Sequence, residues 1–155
     1  MPSLKQLKEG QSDAGLKEEG VWAEILIPGL TDPLRLKLRS VASNAVRMWE
    51  LARFRKQRNY YLNDNLPPIE VIDQNEVDKL AEVMVTDWNV TGEDGPEPCT
   101  VATVRAAMAQ LPDVRRDALA EAARHHNYCR TEVAALAKNS ERPSPRDSAT
   151  VAGGA

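Results

Sequence analysis

Residues 34–39 read Leu34-Arg35-Leu36-Lys37-Leu38-Arg39, three leucines alternating strictly with three cations. Neighbouring side chains point to opposite faces only in extended backbone, so this run is predicted to be a β-strand with one buried and one wet face. Upstream, Val21-Trp22-Ala23-Glu24-Ile25-Leu26-Ile27 has the branched and aromatic content of a second strand. Pro28-Gly29-Leu30-Thr31-Asp32-Pro33 between them is turn chemistry. The two runs are expected to form an antiparallel hairpin over 21–39. A lone hairpin is marginal in water, so its leucine face needs helices to cover it.

About four helices are predicted to supply that cover. The first spans about 43–60, with Ser43 as its cap and Ala45, Met48, Trp49 and Ala52 on one stripe. A second spans about 73–88, opened by a capping box from Asp73 to Glu76 and carrying Val77, Leu80, Ala81, Met84 and Trp88. Thr100 caps a third over 101–111, with Val101, Val104, Met108 and Leu111. Pro112 interrupts, and a fourth runs over 113–138 with the stripe Val114, Ala118, Ala122, His125, Cys129, Val133 and Leu136. The expected fold class is therefore α+β, mainly α, with the N-terminal β-hairpin packed on the helices in one domain over 21–138. Residues 1–20 are polar, hold Gly10, Gly15 and Gly20, and are expected to be a flexible leader. Residues 139–155, with Pro143, Pro145 and a closing Gly-Gly-Ala, are expected to be a disordered tail.

The residues that could carry chemistry favour packing instead. Of the 155 residues, twenty are alanine and only seven aromatic, which suits a modest core rather than a deep rigid pocket. Cys99 and Cys129 are too few for a disulfide framework or a four-cysteine zinc site. His125, His126 and Cys129 have helical ligand spacing, but no further ligand cluster completes a metal site, and two of them lie within the apolar stripe. A Cys129 nucleophile would share one rigid helix with its histidine base and lacks a glycine-rich turn for an oxyanion. No phosphate-binding lysine loop, dinucleotide glycine pattern or nucleophile elbow is present. The sequence thus points to no enzyme, no catalytic residue, no cofactor and no metal. It begins without an apolar signal segment and holds no run long enough to span a membrane, so a soluble cytoplasmic protein is expected.

Charge is strongly segregated beneath a net value of −3. From Leu34 to Arg58 there are eight cations and one acid, Glu50, a balance of +7. From Asp64 to Glu97 there are ten acids and one cation, Lys79, a balance of −9. One reading is internal complementarity, a basic hairpin–helix unit facing an acidic helix. The other is a basic-aromatic patch from Arg53 to Tyr61, including Arg55 and Arg58, offered to nucleic acid or to an acidic partner. The adjacent acids would repel phosphate, which favours the internal reading and makes nucleic acid the weaker partner. Trp88 reads as core, whereas Trp22 and Trp49 could cover one another between hairpin and helix; an exposed tryptophan would be an anchor for a protein.

Two stretches carry a resemblance. Gly20-Val21-Trp22-Ala23-Glu24-Ile25 leading to the alternating strand is similar to the start of phage tail assembly chaperones. So is Val85-Thr86-Asp87-Trp88-Asn89-Val90 followed by Glu93-Asp94-Gly95-Pro96, Cys99-Thr100 and a helix, as is the closing Leu136-Ala137-Lys138-Asn139-Ser140. The resemblance covers about 20–140, and it lies in the order and spacing of short motifs. It implies a non-catalytic, mostly helical protein of the infected host's cytoplasm that coats the tape-measure protein, recruits tail-tube subunits and is absent from the mature virion. A homo-oligomer is compatible with it. On that reading, grooves between the 73–88 and 113–138 helices would take tape-measure segments, and Trp49, Arg53, Arg55, Arg58, Trp88, Val114, Ala118 and Ala122 are the candidate partner-binding residues. The rivals are a tail-completion or connector protein that stays in the virion, and a small nucleic-acid-binding accessory protein using residues 53–61.

Overall fold

A computed structural model describes residues 1–62 and 65–140. The fold is mixed α+β and mainly helical. The predicted hairpin is present as β1 (Val21–Ile25) and β2 (Leu34–Leu38), antiparallel, with Val21 opposite Leu38 and Ile25 opposite Leu34. Its register puts Ala23, Ile25, Leu36 and Leu38 on the buried face. Trp22 and Glu24 lie opposite Lys37 and Arg35, and Arg35 pairs with Glu24 at 3.2 Å.

Between the leader and the helices, the expectations need four corrections. Residues 1–20 hold two short helices, α1 (Leu4–Glu9) and α2 (Ala14–Glu19), rather than a featureless leader. They are tied down: the Asp13 amide donates to the Tyr128 carbonyl, the Ser40 amide to the Lys17 carbonyl, and the Arg39 guanidinium to the Glu18 carbonyl. The helix expected over 43–60 is α3 (Asn44–Lys56) followed by the single turn α4 (Arg58–Leu62). Ser43 caps α3 as expected, accepting from the Val46 amide.

The helix expected over 73–88 is three elements. α5 (Ile69–Lys79) starts upstream of Asp73, with Pro68 at its N-cap, so Asp73 is interior rather than capping. A π-helical turn (Leu80–Met84) follows and buries Leu80, Ala81 and Met84. Then Val85–Trp88 is a strand, β3, paired antiparallel to β2 with an irregularity at Lys37/Leu38. The sheet order is β1-β2-β3. A small ribbon, β4 (Thr91–Gly92) with β5 (Gly95–Pro96), closes the loop, and the Trp88 indole N–H donates to the Glu97 carbonyl at 2.8 Å.

The last helix is also divided. Thr100 caps α6 (Val101–Gln110) in a capping box with Thr103, and Pro112 opens α7 (Pro112–Ala123). The chain leaves α7 at Arg124, makes one 3-10 turn (His125–Tyr128), and continues as α8 (Arg130–Ser140). The break turns Tyr128 inward, where its hydroxyl donates to the Leu38 carbonyl at 3.1 Å. The seven-residue stripe therefore does not share one helix. Beyond Ser140, the tail expected over 139–155 lies outside the described residues, as do Asn63 and Asp64.

One core joins these parts. The inner sheet face packs with Val46 of α3, Leu80 and Met84 of the π turn, Val104 and Met108 of α6, and Val114, Ala118 and Ala122 of α7. α7 lies against β1 and β2, and its small residues allow that close approach. Among the described residues no helix is long and apolar enough to cross a membrane.

Candidate partner-binding surface

α3 is positioned from both ends of its first turn. Ser43 satisfies the Val46 amide, and the Glu18 carboxylate of α2 accepts from the Asn44 and Ala45 amides. This fixes a rotation in which Val46, Trp49, Arg53 and Gln57, at spacings of a helix face, turn toward α5. The expected stripe of Ala45, Met48, Trp49 and Ala52 is out of phase: Val46 is the buried residue, and Met48 and Ala52 are exposed.

The inward face is polar, and carboxylates explain why. Arg53 reaches Asp78 at 3.2 Å and Glu82 at 3.7 Å. Arg105 of α6 reaches the same pair, Asp78 at 3.1 Å and Glu82 at 2.8 Å. Gln74 donates a further bond to Asp78, which is buried. The Trp49 indole donates to Glu82, and the Arg53 guanidinium stacks 4.7 Å from the Trp49 ring centre. Gln57 and Asn75 exchange two side-chain hydrogen bonds, and Lys79 pairs with Glu50 at 3.2 Å. Arg115 binds Asp73 and Glu76. The acidic segment thus meets cations of α3, α6 and α7 inside the molecule, supporting the internal-complementarity reading.

The outward face has no such partners. Met48, Leu51 and Phe54 of α3, Leu62 of α4, Leu66, and Ile69 and Ile72 of α5 are all exposed. Leu66 is 86% exposed, Met48 65%, Leu62 63% and Ile69 63%, so these are surface groups rather than rim residues of the core. The Phe54 and Tyr61 rings pack at 4.8 Å and join α3 to α4. Between α3 and α5 lies an open groove of about 600 Å³ whose walls include Arg47, Leu51, Phe54, Tyr61, Ile72 and Lys79. Arg47 lines the groove, Arg55 and Arg58 follow its lining residues Leu51 and Phe54 by four positions, and all three are exposed and form no ion pair among the described residues.

The eight candidate partner residues are therefore dispersed. Trp88, Val114, Ala118 and Ala122 are buried in the chain's own core, which removes the expected groove between the 73–88 and 113–138 segments as a free surface. Trp49 and Arg53 are half-buried and committed to Asp78 and Glu82. Arg55 and Arg58 are exposed beside the α3–α5 groove. Trp22 is exposed over the outer sheet face near Leu16 and Val133, on a second groove of about 780 Å³, whereas Trp49 lies under Arg53. The exposed Leu51, Leu62 and Ile69 have no place in the sequence expectations, Met48 is there expected on the buried stripe and Phe54 within the basic-aromatic patch, although Leu51 and Phe54 do stand at helical spacing from Arg47 and Arg58.

The residues considered for metal or thiol chemistry are separated. His125 and His126 are exposed on the 3-10 turn, while Cys129 is buried with its thiol toward the Gly10 and His125 carbonyls. Among the described residues no group of three or more His, Cys, Asp or Glu is placed to hold a metal ion. Burial, followed by the nearby Asp87 charge, pushes the Cys99 thiol up from its ordinary range, which leaves it protonated at neutral pH. No family model, no curated protein and no solved structure matches the chain.

Proposed function

We propose that the chain is a non-catalytic phage tail assembly chaperone, which binds tape-measure protein in the host cytoplasm and brings tail-tube subunits to it. The observation that carries this reading is the set of exposed apolar side chains on α3, α4 and α5, of which Leu51, Phe54 and Ile72 line one open groove of about 600 Å³. Monomeric proteins rarely leave so many large apolar side chains together in water, and such patches mark protein contacts. The ordered motifs that resemble tail assembly chaperones supply the identity of the partner. The docking face is α3–α5, not the 73–88/113–138 groove, because the latter is core.

Co-expression with the neighbouring tape-measure protein tests the proposal. A complex should co-purify and the tape-measure protein should become soluble; unchanged solubility with no complex sinks it. Mass spectrometry of purified particles separates a chaperone, absent from them, from a completion or connector protein, which would be present. The nucleic-acid reading is supported only by Arg47, Arg55, Lys56 and Arg58. A gel shift that weakens with added salt would favour it.

A further inference from the structure

We infer that the α3–α5 groove takes an amphipathic helix whose flanks are acidic. The inference rests on the reading of this face as a docking surface and adds the chemistry of what docks. A groove with an apolar wall on each helix, Leu51 and Phe54 on one side and Ile72 on the other, fits the apolar stripe of a single helix. The charge around it is one-sided. The acids that line it are already neutralised, Glu50 by Lys79 at 3.2 Å and Glu76 by Arg115 at 3.2 Å. Of the cations, Arg47 lines the groove and Arg55 and Arg58 follow its lining residues Leu51 and Phe54 by four positions; none of the three has an ion-pair partner among the described residues. A ligand helix with Glu or Asp beside its apolar stripe would bury the stripe and pair those cations from its flanks.

The same charges argue against two other occupants. A second copy would bring the unpaired cations of both faces together, and like charges across an interface are costly. A nucleic acid would satisfy the cations but leave Met48, Leu51 and Phe54 in water, since a phosphate backbone offers them nothing to pack against.

The test uses the full chain and two fluorescent helical peptides with the same leucine stripe, one flanked by Glu and one by Lys. Fluorescence anisotropy should give about tenfold tighter binding of the Glu peptide at low salt, with the gap narrowing as salt rises. The double variant R55E/R58E, melting as the parent does, should reverse the preference, and Phe54→Ser should weaken both peptides. If both peptides bind equally, the acidic-helix inference falls while the docking face stands. If neither binds, the docking face falls with it. Tighter binding of a single-stranded oligonucleotide than of the Glu peptide, lost in R55E/R58E, assigns the cations to nucleic acid. Self-association lost in Phe54→Ser assigns this face to a second copy. Either result overturns the inference.

Discussion

The two sides of α3 carry the same kinds of residue and use them differently. On the inner side, Arg53 is held between Asp78 and Glu82, stacked on Trp49, and shares both carboxylates with Arg105. On the outer side, Arg47 and Arg55 stand beside Met48, Leu51 and Phe54 with no ion pair among the described residues. Inside, every charge has an opposite charge and the arrangement fixes how α3, α5 and α6 sit. Outside, the apolar groups stay exposed, and the contact they make is local, the Phe54 ring against Tyr61 at 4.8 Å. A basic block adjacent to an acidic block is thus divided: part of it assembles the domain, and the remainder is available to something else.

The sharpest way to break that comparison is to remove the shared carboxylate. Asp78→Ala leaves Arg53 and Arg105 without their buried partner, and it should cost about 3 kcal/mol of stability. Chemical denaturation with the slope unchanged would read that loss. If Asp78→Ala melts like the parent, the inner lattice is no more consequential than the outer cations.

Tyr128 tests a contact of intermediate weight. Its hydroxyl bond to the Leu38 carbonyl connects the 3-10 turn to the sheet, and Tyr128→Phe should cost about 1 kcal/mol. Burial, and then the Glu121 charge, push the Tyr128 phenol well above its ordinary value. The folded state therefore binds this proton more tightly than the unfolded chain. Its stabilising effect is complete below about pH 10, the unfolded value, and is lost as pH rises toward the folded one. Tyr128→Phe should flatten that alkaline decline; an unchanged decline would place its origin elsewhere.

At the acid end, the leader supplies a smaller and local effect. The Arg130 side chain bonds Asp13 at 2.8 Å, and the Leu16 amide also donates to it, so the Asp13 carboxyl lies below its ordinary range. Its contribution is present above about pH 4 and is lost as pH falls through the lowered folded value. Amide exchange at Leu16 should accelerate there before the core amides respond. Simultaneous acceleration of both would mean that the leader opens only with the whole domain.

How much of this was legible follows from how local each signal is. The alternation of β2 and the Ser43 and Thr100 caps depend on residues within a few positions of one another, and period 2 or a hydroxyl before a helix announces them. The rotation of α3 does not, because Arg53 and Gln57 turn inward only when Asp78 and Asn75 are there to meet them. A helix-period reading that puts apolar residues inside must then choose Met48, and it chose the exposed phase. β3 was hidden for a related reason. Leu80, Ala81, Met84 and Trp88 keep helical spacing in sequence, yet a π turn and a strand bury the same positions, and only the β-branched Val85-Thr86 hinted at the change. The proposed docking face is partly legible through Arg55, Phe54 and Arg58 of the basic-aromatic segment, whereas Met48 reads as core and Leu51, Leu62 and Ile69 follow no pattern that marks them.

The outer face gives the smallest expected change in stability and the clearest separation of roles. R55E/R58E alters only exposed cations with no ion-pair partner among the described residues, so its folding free energy should stay within about 0.5 kcal/mol of the parent. Phe54→Ser removes a surface ring that packs on Tyr61 rather than on the core, and its cost should be similarly modest, about 0.5–1 kcal/mol. If α3 divides as described, these variants fold normally yet lose the partner in co-purification, whereas Asp78→Ala loses stability first. A Phe54→Ser protein that unfolds as readily as Asp78→Ala would erase the distinction, because this face would then belong to the fold and not to a ligand. A Phe54→Ser protein that is stable and still retains its partner would point away from this face, and the groove between Trp22 and α8 would be the next to test.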